Sequence, residues 1–159
     1  MSLSKIIKEY LEIEINSKQT LNSDTVNRKK PYKDVMTSTI KNSGNNAEDF
    51  GWWLNIDKRT LNYITSKSGR NRDIRFIEAL RFAVAANFSL ADSLDFLSVC
   101  NFGLNLDCLR DKCFLLVLAY PHTNKEELME RLNCLNIINN DLHDDSLKNC
   151  IEELNRKLG

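Results

Sequence analysis

Residues 47–66 read AEDFGWWLNIDKRTLNYITS, and the spacing of this stretch decides the fold. Counting from Ala47, apolar residues stand fourth (Phe50), eighth (Leu54), tenth (Ile56), fifteenth (Leu61) and eighteenth (Ile64). The fifth residue is Gly51, small enough for two helices to cross closely. The ninth is Asn55, a residue that tolerates the left-handed backbone of a tight turn. Asn46 ahead of Glu48 and Asp49 offers an N-cap with carboxylates at the positive helix end. Asp57 can cap a second short helix that runs to about Thr65. Two short helices about one turn are therefore expected. The second turns Leu61 and Ile64 inward and Lys58, Arg59, Asn62, Tyr63 and Ser66 outward.

The rest of the chain also carries helical spacing, and no strand-like alternation persists beyond a few residues. Leu3, Ile6, Ile7, Tyr10 and Leu11 make a stripe on a helix over about 3–15, and residues 16–30 read as a polar linker. Pro31 sits where a helix begins, with Tyr32, Val35, Met36 and Ile40 as its buried side. Residues 72–86 are apolar almost all round and should form the centre of a helical core. Ser89 caps a following helix closed by Gly103, another covers about 105–120 up to Pro121, and the segment from Thr123 to Glu126 fits a capping box for a helix to about Leu135. Leu147, Cys150, Ile151, Leu154 and Leu158 place a stripe on a C-terminal helix. The expectation is an all-α protein of about eight helices. It divides into an N-terminal helix with linker (1–30), a helical domain (31–137) and a C-terminal helix (138–159) packed on that domain or used in dimerisation.

The pattern in 47–66 is that of a helix-turn-helix, and the sequence resembles the Cro-repressor-like (Xre-type) helix-turn-helix family. The likeness is closest to the variant found alone or beside macro domains in bacterial proteins. It rests on NIDKR at 55–59, on Leu61 and Ile64, on RDIRFIEALRFAVAANFSL at 72–90, on DSLDFL at 92–97 and on Gly103-Leu104. It covers about residues 32–137. The resemblance implies a five-helix core with appended helices and, for many members, DNA binding.

Charge sharpens that expectation. The 159 residues hold 22 basic and 22 acidic side chains, for a formal net charge of zero. Residues 26–82 nevertheless carry twelve basic against six acidic groups, a local +6, while residues 83–159 sum to −5. Such segregation suits an anionic partner for one part of the chain. Within the helix-turn-helix reading, Arg59 can pair with guanine and Asn62 with adenine in the major groove. Lys58, Tyr63 and Ser66 share that face, Lys67, Arg70 and Arg72 follow in a loop that would meet phosphates, and Arg28, Lys29 and Lys30 could form a basic arm. The same lysines and arginines also read as solvated surface charge.

Other features pull against DNA. Glu48 and Asp49 repel a phosphate backbone, and Trp52-Trp53 is bulky at positions usually turned to solvent, so at least one ring needs cover. The N-terminal helix, a second subunit or another protein could supply it. Chemistry has little to build on. Five cysteines (100, 108, 113, 134 and 150) form no C-x-x-C, and Cys108 and Cys113 stand about 140° apart on a helix. They read as small buried apolar residues and as free thiols of a reducing cytosol. His122 and His143 belong to no metal or nucleophile signature, and the five glycines make no phosphate-cradling loop. Neither enzyme activity, a metal nor a cofactor is expected. No apolar run reaches the roughly 18 residues of a membrane span. The leading expectation is a cytoplasmic helix-turn-helix protein that binds double-stranded DNA as a transcriptional regulator, with a homodimer as one form. The alternative is a non-catalytic protein-protein interaction module that keeps the fold and uses Trp52 and Trp53. A third, an antitoxin-like or phage-encoded regulator, would do both.

Overall fold

The computed structural model describes residues 31–140 together with Lys5, Ile6, Lys8, Glu12, His143, Asp145, 147–149, Glu152, Glu153 and Arg156. Among these residues the chain is all-helical. Seven helices have defined bounds: α1 (Tyr32–Asn42), α2 (Ala47–Leu54), α3 (Lys58–Thr65), α4 (Phe76–Ala85), α5 (Leu90–Val99), α6 (Leu109–Leu118) and α7 (Lys125–Asn140). Lys5, Ile6, Lys8 and Glu12 before α1, and Asp145, residues 147–149, Glu152, Glu153 and Arg156 after α7, are helical as well, in keeping with the expected eight or so. No helix among the described residues is long and apolar enough to cross a membrane.

Helix α4 organises the rest. Every residue from Glu78 to Ala85 is buried, because α2, α5, α6 and α7 all pack on it. Its Phe82 ring lies 5.4 Å from Phe50 of α2 and 5.2 Å from Phe96 of α5. Phe76, at its start, meets Phe114 of α6 edge-on at 5.7 Å. The core continues through Met36, Leu54, Leu61, Ile64, Leu115, Leu132 and Ile138. Ile6 from the N-terminal segment and Leu147 from the C-terminal one are buried in it too. The other stripe positions expected on those two terminal helices lie outside the described residues, as do the linker over 16–30 and the basic triplet at 28–30.

Helix boundaries follow from local chemistry. Asn46 and Asp49 form the reciprocal capping box of α2, the Asp49 amide donating to Asn46 Oδ1 at 2.9 Å and the Asn46 amide to Asp49 Oδ2 at 3.3 Å. The Asp57 carboxylate accepts the Thr60 amide at 2.6 Å and starts α3. Ser89 accepts the Asp92 amide and starts α5. Three asparagines adopt left-handed backbone just beyond helix ends: Asn55 after α2 (φ 61°), Asn87 after α4 (φ 56°) and Asn101 after α5 (φ 64°). A chain with 19 asparagines and five glycines thus uses asparagine where glycine is usual.

Four boundaries differ from the sequence reading. Residues 72–75 are not helical, and Arg75 has extended backbone, since Arg72 and the Arg75 amide bind Glu78 and hold the chain out of the helix. Asn101, and not Gly103, closes α5. The helix expected over 105–120 starts only at Leu109, because residues 105–108 form a turn in which the Asn105 amide donates to Asp111 Oδ2 at 2.7 Å. Helix α7 is capped by Asn124, whose oxygen accepts the Glu127 amide at 2.9 Å, and it runs to Asn140 because Ile138 still reaches the core.

The α2–α3 crossing depends on Gly51. A Cβ there would stand 3.0 Å from the Ile56 carbonyl oxygen and 3.6 Å from the Lys58 nitrogen, both backbone atoms that cannot swing aside. Gly51→Val should therefore destabilise the fold by about 2–3 kcal/mol in a urea titration, the usual overpacking cost. Asn55→Val should add strain at the left-handed turn, whereas Asn55→Gly should leave stability near wild type. Full stability in Gly51→Val would contradict a close crossing.

Candidate functional site

Helix α3 is amphipathic by construction. Leu61 and Ile64 are buried, and Lys58, Arg59 and Asn62 are exposed on the other side. Backbone hydrogen bonding from Thr60 holds the Asp57 carboxyl below its ordinary value, so the cap stays ionised at neutral pH. At the far end, Lys33 of α1 donates from Nζ to the Ile64 carbonyl at 2.9 Å, which fixes the last turn. The turn between α2 and α3 is equally determined, with the Ile56 amide donating to the Gly51 carbonyl at 2.9 Å.

On the exposed face, Arg59 Nε donates to the Tyr63 hydroxyl at 2.8 Å, one helical turn away. The half-buried Tyr63 thereby orients the guanidinium along the helix. Lys58 Nζ lies 3.9 Å from the Glu48 carboxylate of α2, with both side chains in solvent. At the start of the following loop, Ser66 donates its hydroxyl to the Ser68 carbonyl. Lys67 is exposed and ion-paired with Asp34, and Arg70 is exposed. Lys58, Arg59, Asn62, Lys67 and Arg70 are thus open to solvent at α3 and just beyond it.

Arg72 has a different task. Its guanidinium grips Glu78 with two bonds, Nη1 to Oε1 at 2.8 Å and Nη2 to Oε2 at 2.6 Å. Nη1 also donates to the Asp73 carbonyl at 2.9 Å. The Arg75 amide adds a third donor to Glu78 Oε1 at 2.8 Å. This clamp ties the link between α3 and α4 to Glu78, so the partly exposed Arg72 serves as a strut. Glu78 is only 4 % exposed. Burial pushes its carboxyl up, but the Arg72 fork, the Arg75 amide and the nearby guanidinium charges outweigh burial and hold it below its ordinary value.

The acidic and aromatic residues of α2 divide in the same way. Asp49 is occupied by the cap, and Glu48 remains in solvent beside Lys58. Trp53 is half-buried, its ring edge-on to Phe50 at 5.1 Å, so the helical core covers it. Trp52 is 73 % exposed.

Arg81 had no place in the sequence reading. It is 6 % exposed, and its Nε donates to the Trp53 carbonyl at 2.7 Å. Its Nη1 reaches the Leu132 carbonyl at 3.3 Å and Asn136 Oδ1 at 2.6 Å. Arg81 thus ties the end of α2 to α7 through α4. A signal was present: Glu78 and Arg81 are the two charged residues within FIEALRFAVA, and a charge on a helix buried all round must find partners. The sequence does not say that those partners lie on different helices. Among the described residues the cysteines are free thiols, and burial pushes that of Cys100 up to about 12, which makes it unreactive. The described residues contain no group of His, Cys, Asp and Glu able to hold a metal ion.

Glu78→Gln should cost about 2–3 kcal/mol near neutral pH, since it leaves a fork with a weaker acceptor. Because the folded carboxyl sits below its ordinary value of 4.5, the native charge stabilises fully above that value and is lost as pH falls through the folded one. The stability gap between wild type and Glu78→Gln should therefore be full well above 4.5 and shrink as the pH falls below it in denaturant titrations. A constant gap would show that the carboxylate charge contributes nothing.

Comparison of the chain with protein-family models, with curated proteins and with solved structures gives no match.

Proposed function

We propose that this protein binds double-stranded DNA, with α3 as the helix that enters the major groove and with a role in transcription regulation. The observation that carries the reading is the exposed row Lys58, Arg59 and Asn62 on a helix whose opposite side is locked into the core by Leu61 and Ile64. A rigid, shallowly seated helix with cationic and amide side chains suits base-edge recognition. Lys67 and Arg70, just past its end, suit backbone phosphates. Within a cell the Glu48 and Asp34 pairs would be exchanged for phosphate contacts, a small cost because solvent-exposed pairs contribute little.

A second reading is favoured by one residue. Trp52 exposes a large aromatic ring on α2 and suits a protein partner, by the rule that buried aromatic anchors dominate interfaces. The two readings separate in solution.

In a titration against random and enriched duplexes over a salt series, about four phosphate contacts predict a log–log slope near −3.6. Lys67→Ala and Arg70→Ala should each flatten that slope by about 1, and Arg59→Ala should cost about 1–3 kcal/mol on the preferred duplex. Arg72→Ala should act through stability rather than through the slope. Trp52→Ala should leave DNA affinity unchanged. Absence of binding at low salt, or binding indifferent to the Lys58→Ala and Arg59→Ala pair, would overturn the DNA reading and leave the Trp52 surface as the functional face.

A further inference from the structure

A cavity of about 360 Å3 opens behind the α2–α3 turn, between Asn55, the start of α4 and the last turns of α7. Its size falls within the roughly 300–1,000 Å3 of small-molecule pockets. The walls are polar: Arg75 and Arg81 from the α4 side, and Asn136, Asn139 and Asn140 from α7. Arg72 and Glu78 also reach it, but they neutralise each other in the clamp.

Among the described residues the lining holds three guanidinium groups against the one carboxylate of Glu78, so a net positive charge remains. Arg81 is more than nine-tenths buried, and its Nε and Nη1 bonds all go to neutral oxygens. Its Nη2 makes no hydrogen bond with a described residue. A buried guanidinium with no ion-pair partner among the described residues is costly, and an oxyanion entering the cavity it lines would relieve the cost. Guanidinium groups match carboxylate and phosphate oxygens in geometry, and carboxamide N–H groups add neutral donors.

We propose that this cavity binds a small-molecule oxyanion, a carboxylate or phosphate ester, held by Arg81 at its base and Arg75 at its rim. A DNA backbone presents its phosphates to convex surface cations and does not thread into a cavity to a side chain this deeply buried. The assignment rests on no part of the DNA reading. Its position gives it a consequence, however. Arg81 holds the Trp53 carbonyl and the cavity abuts the turn that aims α3, so an occupant bears directly on the helix-turn-helix.

The test is a titration of the whole chain with inorganic phosphate and, separately, citrate, with ionic strength held constant by sodium chloride. Tryptophan fluorescence reports it, because Trp53 is bonded through its carbonyl to Arg81, and the melting temperature gives a second readout. Saturable binding is expected for wild type. Arg75→Glu and Asn139→Asp, which place negative charge at the cavity without touching the core, should each weaken it at least about tenfold, in line with the loss of charge-assisted bonds. Arg81→Gln should abolish it, and if that variant does not fold, the other two decide. Lys58→Glu on the exposed face of α3 should leave it unchanged. A response that follows ionic strength alone, or wild-type binding in both Arg75→Glu and Asn139→Asp, means an adventitious ion only and overturns the proposal. If phosphate and a DNA duplex exclude each other and Arg75→Glu weakens both, the site takes backbone phosphates, and the small-molecule assignment falls.

Discussion

The contact between α2 and α3 at Gly51 is the constraint on which the arrangement depends. With no side chain at that residue, the Ile56 amide reaches the Gly51 carbonyl at 2.9 Å and the chain reverses over three residues. Asn55 supplies the left-handed step that makes so short a turn feasible. Once the turn is fixed, α3 has a single orientation in which both Leu61 and Ile64 reach the core, and its outward residues are thereby determined. Helix α4 secures this from beneath, through the Phe50–Phe82 contact and the bond from Arg81 to the Trp53 carbonyl. Exposure of Lys58, Arg59 and Asn62 is thus a consequence of packing several residues away.

Much of this was legible in the sequence because it depends on local rules. Gly51, Asn55, the caps at Asn46, Asp57 and Ser89, and the apolar spacing of 47–66 each specify backbone geometry within a few residues. The all-round apolar helix near residue 80 was legible for a similar reason, since only a central helix tolerates that composition. What escaped was decided at longer range. Arg72 counted as a loop cation, but its partner Glu78 lies six residues on, across a link that is not helical. Arg81 meets residues 28, 51 and 55 positions away, and no spacing rule points to them. Trp52 and Trp53 look alike as a pair, and only the course of α2 over Phe50 separates the covered ring from the exposed one.

The charge arithmetic changes in meaning once the side chains are placed. Of the cations that make residues 26–82 basic, Arg72 and Arg81 are structural, and Lys33 caps the end of α3. Among the described residues the exposed cations of this segment are Lys41, Lys58, Arg59, Lys67, Arg70 and Arg75, four of them at α3 or just beyond it, with Arg59 oriented by Tyr63 and Lys58 beside Glu48. This is a modest electrostatic surface. It supports shape-directed contact by a few side chains better than strong non-specific attraction, and it makes salt-dependent affinity the informative observable rather than net charge.

The central claim, that the outward face of α3 is the binding surface for DNA, is tested most directly by mapping backbone amide shifts in an isotope-labelled sample on addition of a short duplex. The account predicts that shifts cluster on residues 58–67 and Arg70, with Arg59 and Asn62 among the largest, while the core of α6 and the middle of α7 stay still. Shifts confined to the surface around Trp52, or no shifts at all at low salt, would contradict it.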